Sequence, residues 1–118
     1  DDVLAQWFAW LLATARADLA ERGIALEDRP KLVPTVPQNC HDLQRRAVRE
    51  AAERAGFAVV DILNEPTAAA LSLAVLGLTV AVQPGRHVAV YDFGGGTFDA
   101  SLVRAEGDGR FTEVDSEG

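Results

Sequence analysis

The residues best suited to chemistry lie in one short stretch, residues 91–99, which reads YDFGGGTFD. Asp92 closes an apolar run, the glycines at 94–96 follow, and Thr97 opens a second apolar run. Glycine has no Cβ, so its backbone N–H is accessible and its φ angle can be positive. Successive N–H groups in such a turn can hold the oxygens of a phosphate. The stretch therefore predicts a hairpin that binds phosphate.

The residues that flank the glycines carry side-chain oxygens. Asp92, at a predicted strand end, is placed to hold the water shell of Mg²⁺, an ion that keeps several waters and takes one or two carboxylates. Thr97 can offer its hydroxyl to a phosphate. From these residues alone a simpler interpretation stays open, a glycine-rich hairpin with an aspartate in its turn. The stretch lacks the lysine of a Walker loop, and it does not open a helix as a dinucleotide fingerprint does.

Two further motifs precede this stretch. Residues 64–70 read NEPTAAA, and Glu65 lies at the start of a predicted helix, where the helix dipole favours a carboxylate. Taken alone, Glu65 is better explained as a capping acid. Val36-Pro37 stands before another predicted helix, and taken alone this proline simply ends a strand.

The elements that must position these motifs follow from apolar periodicity and from glycine and proline signals. Helices first interleave with strands, and three consecutive strands follow, the last two joined by an Asp108-Gly109 turn. This is a mixed α/β pattern, with a predicted boundary between two lobes near residues 79–86. The predicted helices cover residues 2–22, a second segment that Asn39 or Asp42 caps and Gly56 ends, and residues 65–76. The predicted strands cover 31–36, 57–63, 87–93, 97–105 and 110–115.

Each predicted helix has an expected buried face. Asp1 or Asp2 can cap the first helix, and Trp7 and Trp10 are expected to widen its apolar face into a core, with surface contacts as the alternative. The helix at 65–76 is apolar all round and is therefore expected to be buried. The expected inner positions are Leu4, Phe8, Leu11, Ala15 and Leu19 in the first helix and Leu43, Ala47, Ala51 and Ala55 in the second.

Composition excludes two classes of partner. With 11 basic and 18 acidic residues the formal net charge is −7, whereas a nucleic-acid-binding face is basic. A membrane-spanning helix needs about 20 mostly apolar residues, and Gly77 interrupts the uncharged run at 66–85. Cys40 is the single cysteine, so no disulfide can form within the chain. We expect no nucleic acid and no membrane as partners, and a reducing, cytoplasmic location.

Together, the three motifs carry a family resemblance. Val-Pro before a helix, then NEPTAAA, then DFGGGTFD, at this spacing, resembles the DnaK-type 70-kDa heat-shock chaperones, best over residues 33–103. The resemblance implies part of an actin-like ATPase, a ribonuclease H-like α/β fold with ATP in a cleft between two lobes. It implies that residues 1–80, which include a lobe-crossing helix, belong to the first lobe and that residues 81–118 start the second.

The resemblance also implies a role for each site residue. Asp92 would bind the Mg²⁺ water shell, and Glu65 would position metal-bound and attacking waters, so that both would be catalytic together with Thr97. Pro37 and Arg45 would couple the two lobes. The phosphate-binding hairpin would consist of Gly94, Gly95, Gly96 and Thr97.

We therefore expect a segment of a longer, ATP-dependent chaperone that binds and hydrolyses ATP with Mg²⁺ to drive protein folding. Its expected partners are ATP or ADP, unfolded client proteins and co-chaperones. The segment lacks the family's first phosphate hairpin, so by itself it should not hydrolyse ATP. Residues 38–41, QNCH, replace the family's AYFN, which leaves open a non-catalytic interaction domain. A filament-forming actin-like ATPase of the MreB type is the other alternative, although the NEPT and TFD segments favour the chaperones.

Overall fold

The computed structural model describes residues 2–78 and 82–117, which form two compact units, Asp1–Ile62 and Leu63–Gly118. The predicted mixed α/β pattern is confirmed. The predicted cap at Asp1 and the predicted lobe boundary at 80/81 lie outside the described residues. The first unit contains α1 (Asp2–Glu21), β1 (Lys31–Leu32), β2 (Thr35–Val36), α2 (Asp42–Ala55) and β3 (Ala58–Val59), and the second contains β4 (Leu63–Asn64), α3 (Glu65–Val75), β5 (His87–Phe93), β6 (Phe98–Ala105) and β7 (Phe111–Glu117).

The core of the first unit lies between α1 and α2. Phe8 and Leu12 of α1 are buried, and the ring of Phe8 meets that of Phe57 edge to face at 6.2 Å. The prediction that Trp7 and Trp10 pack in this core is wrong, because they are 52% and 60% exposed. A helix turns by about 100° per residue, so both tryptophans lie outside the strip centred on Phe8.

The α2 helix contributes a narrow, alanine-rich face to this core. Ala51 and Ala52 are fully buried, and Val48 packs against them. The prediction that Leu43 belongs to the inner stripe is wrong, because it is 76% exposed. The buried strip runs through Val48, Ala51 and Ala52, and the helical rotation places Leu43 well off its centre. The helix ends as predicted at Gly56, whose φ is 113° and whose N–H donates to Glu53.

The strands of the first unit are shorter than predicted. Lys31–Leu32 pairs in parallel with Ala58–Val59, and the guanidinium of Arg49 donates to the Val59 carbonyl at 3.0 Å. Pro34 has no N–H and divides the predicted strand 31–36 into two pieces. The run 57–63 is divided in the same way, because residues 60–62 separate Ala58–Val59 from the strand that begins at Leu63, and the Asp61 carboxylate accepts the N–H of Ile62 at 2.8 Å.

The second unit packs α3 on an antiparallel three-stranded sheet of order β5-β6-β7. The α3 helix begins at Glu65, as predicted, with Asn64 in extended conformation at the N-cap. The prediction that the helix is buried all round is wrong, because Pro66 and Ala70 are buried but Val75 is 88% exposed. One face of the helix lies against the sheet, and that contact buries only the residues on it. No described helix is long and apolar enough to cross a membrane.

The sheet has one buried and one exposed face. Ser101, Val103 and Ala105 alternate along β6 and are all buried. Because α3 is the helix of this unit that contacts all three strands, we assign these side chains to the face beneath it. The opposite face carries Tyr91 and Phe93, both largely exposed. The predicted meander is confirmed.

Candidate functional site

The glycine stretch forms a tight hairpin, as predicted. Phe93 pairs with Phe98 as the last strand pair before the turn, and the N–H of Gly94 donates to the carbonyl of Thr97 at 2.8 Å. Gly95 and Gly96 therefore form a two-residue loop at the tip. All four turn residues are exposed, so the tip is open to a ligand.

The hydrogen bonds of the turn divide its N–H groups into two sets. The N–H of Gly94 donates within the hairpin and is not available to a phosphate in this conformation, whereas the phosphate-binding role of Gly94 stays a prediction. Within the described part of the chain, the N–H groups of Gly95, Gly96 and Thr97 have no hydrogen-bond partner. Three consecutive N–H donors thus remain at the tip, and such a row is a recognised anion-binding arrangement.

The reason for the glycines differs from the predicted one. Positive φ is found at Gly107 and Gly109 in the next hairpin but at none of the residues 94–96. A Cβ added at Gly94 would lie 2.9 Å from the Thr97 hydroxyl oxygen, whereas one added at Gly95 or Gly96 would meet nothing within 4 Å. Space is therefore what the turn gains at Gly94, whereas at Gly95 and Gly96 neither a positive φ nor a nearby atom requires glycine.

The hairpin register brings a second carboxylate to the site. Asp92 pairs directly with Asp99 across the two strands. Like charges placed opposite each other in a sheet are destabilising unless a cation is shared. Two carboxylates also match the number that Mg²⁺ takes from proteins. Asp92 and Asp99 are therefore the described residues best suited to hold such an ion.

Asp99 was missed from the sequence, although a signal was present. Asp92 and Asp99 are equidistant from the Gly95-Gly96 tip, so a two-residue hairpin must pair them. The described residues contain no cluster of three or more His, Cys, Asp or Glu side chains that could ligate a metal. A metal at this site would therefore complete its coordination with water and with the ligand.

Glu65 belongs to the same unit as the hairpin. It is the first residue of α3 and is half-buried. Asp99 alternates with Ser101 and Val103 and so shares the sheet face on which α3 packs. The structure thus gathers Glu65, Asp92, Asp99 and the glycine turn into one unit, with the carboxylates of the hairpin on the α3 side of the sheet.

Pro37 and Arg45 lie in the other unit, where one turn connects them. The N–H of Cys40 donates to the carbonyl of Pro37 at 3.0 Å. The Nε of Arg45 donates to the carbonyl of Cys40 at 3.4 Å. Arg45 therefore holds the turn that follows Pro37, and the coupling role of both residues stays a prediction.

The clearest electrostatic effects lie at the other hairpin, between β6 and β7. Hydrogen bonds from Thr112 and Arg104 lower the pKa of Glu106. Local desolvation acts to raise the pKa of Asp108, but hydrogen bonds from Arg110 outweigh it and lower that pKa. The Arg110 Nε lies 2.7 Å from the Asp108 carboxylate. These pairs stabilise a turn remote in sequence from the glycine tip.

Comparison with known proteins decides the family. The family model described as Hsp70 protein matches residues 3–117. The heat shock 70 kDa protein BIP3 of Oryza sativa subsp. japonica is 42% identical over 107 residues, which is 91% of this chain. The chain belongs to the Hsp70 family. It spans 15% of the length of the rice protein.

The Hsp70 match contains every candidate site residue that the sequence predicts. Residues 3–117 include the turn after Pro37, the start of α3 and the whole glycine hairpin. The predicted family is thereby confirmed.

Proposed function

We propose that this Hsp70 segment forms one side of an ATP site in an ATP-dependent chaperone. The observation that carries the proposal is the glycine tip, where three unpartnered N–H donors stand beside a pair of opposed carboxylates. Donors of this kind fit phosphate oxygens, and the carboxylates fit the Mg²⁺ that accompanies a nucleotide. The family membership supports ATP as the nucleotide.

The chain's own residues would divide the work as follows. The N–H groups of Gly95, Gly96 and Thr97 would bind phosphate oxygens, and the Thr97 hydroxyl would add one more donor. Asp92 and Asp99 would hold the water shell of Mg²⁺. When bound, that ion supplies neutralisation of the phosphate charge. Glu65 would accept a hydrogen bond from the attacking water and so orient it, because catalysis of phosphoryl transfer rests on positioning and electrostatics.

Charge at the site makes the metal necessary for binding. Between Arg86 and Arg104 the chain has no lysine or arginine, whereas Asp92 and Asp99 flank the tip. A polyphosphate without a cation would be repelled by the two carboxylates. The site should therefore bind a nucleotide as its Mg²⁺ complex and lose that binding when the metal is chelated.

The wider proposal concerns the parent protein. The segment would be part of an actin-like, ribonuclease H-like ATPase domain, with residues 1–80 in the first lobe, α3 crossing between lobes, and residues 81–118 starting the second. Pro37 and Arg45 would couple the lobes, so that ATP hydrolysis would act on unfolded clients with the help of co-chaperones, in the cytoplasm. Alone, the segment offers one side of a phosphate cradle and should bind ATP weakly.

Charge-neutralising variants of the full-length protein test the proposal. Asp92→Asn should lower Mg²⁺-dependent ATP turnover by about 100-fold or more, because one carboxylate that holds the metal's water shell is lost. Steady-state ATPase assays across a Mg²⁺ titration measure this. Asp115→Asn, a same-size change on exposed β7, is the control and should leave turnover unchanged. Unaltered turnover in Asp92→Asn would contradict the proposed site.

A further inference from the structure

We infer that Gly94 is a positioning residue for the Thr97 hydroxyl and not a phosphate ligand. Because residue 94 has no side chain, the Thr97 hydroxyl can occupy the space beside it, and a side chain there would displace the hydroxyl. The inference rests on the proposed function only for the identity of the ligand, a polyphosphate bound with a divalent metal. The contact between residues 94 and 97 itself is independent of that function.

The hydrogen bonding of Gly94 removes it from the ligand set. Its N–H donates to the Thr97 carbonyl at 2.8 Å and closes the hairpin. A backbone N–H has one proton to donate, so this group is not available to a phosphate while the hairpin is closed. The remaining donors belong to Gly95, Gly96 and Thr97.

The space around the three glycines is unequal. A Cβ on Gly94 would lie 2.9 Å from Thr97 Oγ1, closer than two such atoms can approach without moving, and 3.7 Å from the Thr97 carbonyl oxygen. A Cβ on Gly95 or on Gly96 would have no neighbour within 4 Å. Within the described chain, Gly94 is thus the glycine of this turn whose missing side chain makes room for another residue.

The predicted response to alanine at 94 is a rotation and not an unfolding. The φ of Gly94 is not positive, so alanine causes no backbone strain there. The nearest atom is the end of the Thr97 side chain, which has three staggered χ1 positions, and rotation to another of them relieves the contact. The fold and the three free N–H donors stay in place while the hydroxyl moves.

A rotamer measurement tests this directly. In the full-length protein, labelled at threonine Cγ2, three-bond couplings from Cγ2 to N and to C′ of Thr97 report χ1 without any ligand. Gly94→Ala should shift the major χ1 population, whereas the matched control Gly95→Ala should not. An unchanged χ1 in Gly94→Ala, with the hairpin amide resonances still in their native positions, would overturn the inference. Loss of those resonances would overturn it as well, because the contact would then be structural.

A double-mutant cycle tests the consequence for the reaction. Gly94→Ala should lower kcat for Mg-ATP on the order of 100-fold, because the displaced Thr97 hydroxyl would no longer be correctly oriented toward the reacting phosphate. The same change should raise KM much less. In a Thr97→Ala background Oγ1 is gone, so adding Gly94→Ala should cause no further loss. Equal losses in both backgrounds would contradict positioning through Thr97.

The χ1 measurement and the double-mutant cycle together separate this inference from the proposed function. A χ1 shift in Gly94→Ala, together with full turnover in both Gly94→Ala and Thr97→Ala, would leave the positioning contact intact and remove the hydroxyl from the proposed ATP site. The absence of a χ1 shift would refute the role of Gly94, whatever the turnover.

Discussion

At the scale of single residues, the adjacent glycines of the hairpin have different roles. Gly94 closes the hairpin and makes room for the Thr97 side chain. Gly95 and Gly96 present free N–H groups in open space. The sequence shows three equivalent letters, and only the hydrogen bonds and the neighbouring atoms distinguish them. The motif predicts all three glycines as phosphate-binding residues, and the hydrogen bond of the Gly94 N–H favours Gly95 and Gly96 as the available donors.

Residue-scale packing gives a matched pair of substitutions in α1. Phe8→Ala should lower the free energy of unfolding by about 3–5 kcal/mol, because it leaves a cavity in the core between α1 and α2. Trp10→Ala removes a larger side chain that is 60% exposed, and it should lower that free energy by no more than about 2 kcal/mol, because only the buried minority of its surface loses contact. Urea unfolding followed by far-UV circular dichroism measures both.

The most informative result is which of the two substitutions lowers the free energy of unfolding more. Residue size alone would make the tryptophan change the costlier one. A larger loss for Trp10→Ala than for Phe8→Ala would show that α1 turns another face to the core.

At the scale of elements, the β5–β6 and β6–β7 hairpins differ in their hydrogen bonds and charges. The β5–β6 hairpin has a tip of unpartnered donors and a pair of opposed carboxylates, which costs stability. The β6–β7 hairpin places Arg104 beside Glu106 and Arg110 beside Asp108, and its glycines have positive φ. We infer that the second hairpin holds the meander together while the first remains available for a ligand.

This difference predicts how the meander responds to acid. The pKa values of Glu106 and Asp108 are lowered in the folded protein, so each group stabilises the fold while it is ionised. That contribution is complete at neutral pH and is lost as the pH falls below about 4, through the lowered folded-state values. Urea midpoints measured between neutral and acid pH should therefore fall more steeply in the natural chain than in a Glu106→Gln, Asp108→Asn variant.

If the urea midpoints of the two proteins fall in parallel as the pH is lowered, the stabilising role of the Arg104–Glu106 and Arg110–Asp108 pairs would be contradicted. Both carboxylates are exposed, so salt should reduce the difference. Repeating the series in high salt checks that the effect is electrostatic.

At the scale of the whole molecule, the chain corresponds to a short stretch of a much longer relative, because it spans 15% of the length of the rice Hsp70 protein. Within that part it carries the glycine hairpin, the N-terminal end of α3 and the turn after Pro37. The proposed site is therefore one-sided, and we assign to the full-length protein any tight binding or turnover.

What could be predicted from sequence followed from local signals. The hairpin at Gly95-Gly96 and the helix end at Gly56 depend on a few neighbouring residues, and both were placed correctly. The exposure of Trp7 depends on which face of α1 another helix covers, which periodicity alone cannot decide when several faces of a helix are apolar. The exposure of Leu43 was within reach of periodicity, because helical rotation places it away from the strip of Val48, Ala51 and Ala52.

The candidate site also combines features that local sequence signals predict with features that depend on three-dimensional geometry. The motif predicts Asp92 and the glycines as candidate site residues, but the use of the Gly94 N–H inside the hairpin depends on hydrogen-bond geometry. Asp99 was within reach of sequence reasoning, because its pairing with Asp92 follows from the loop length.

The most direct test of the account is to map where Mg-ATP contacts the hairpin of the full-length protein by amide chemical shifts. We predict that the N–H resonances of Gly95, Gly96 and Thr97 shift on adding Mg-ATP, that the Gly94 resonance shifts least, and that chelating the metal reverses the change. Saturating Mg-ATP that leaves those three resonances in place would contradict the claim that this turn holds the phosphates.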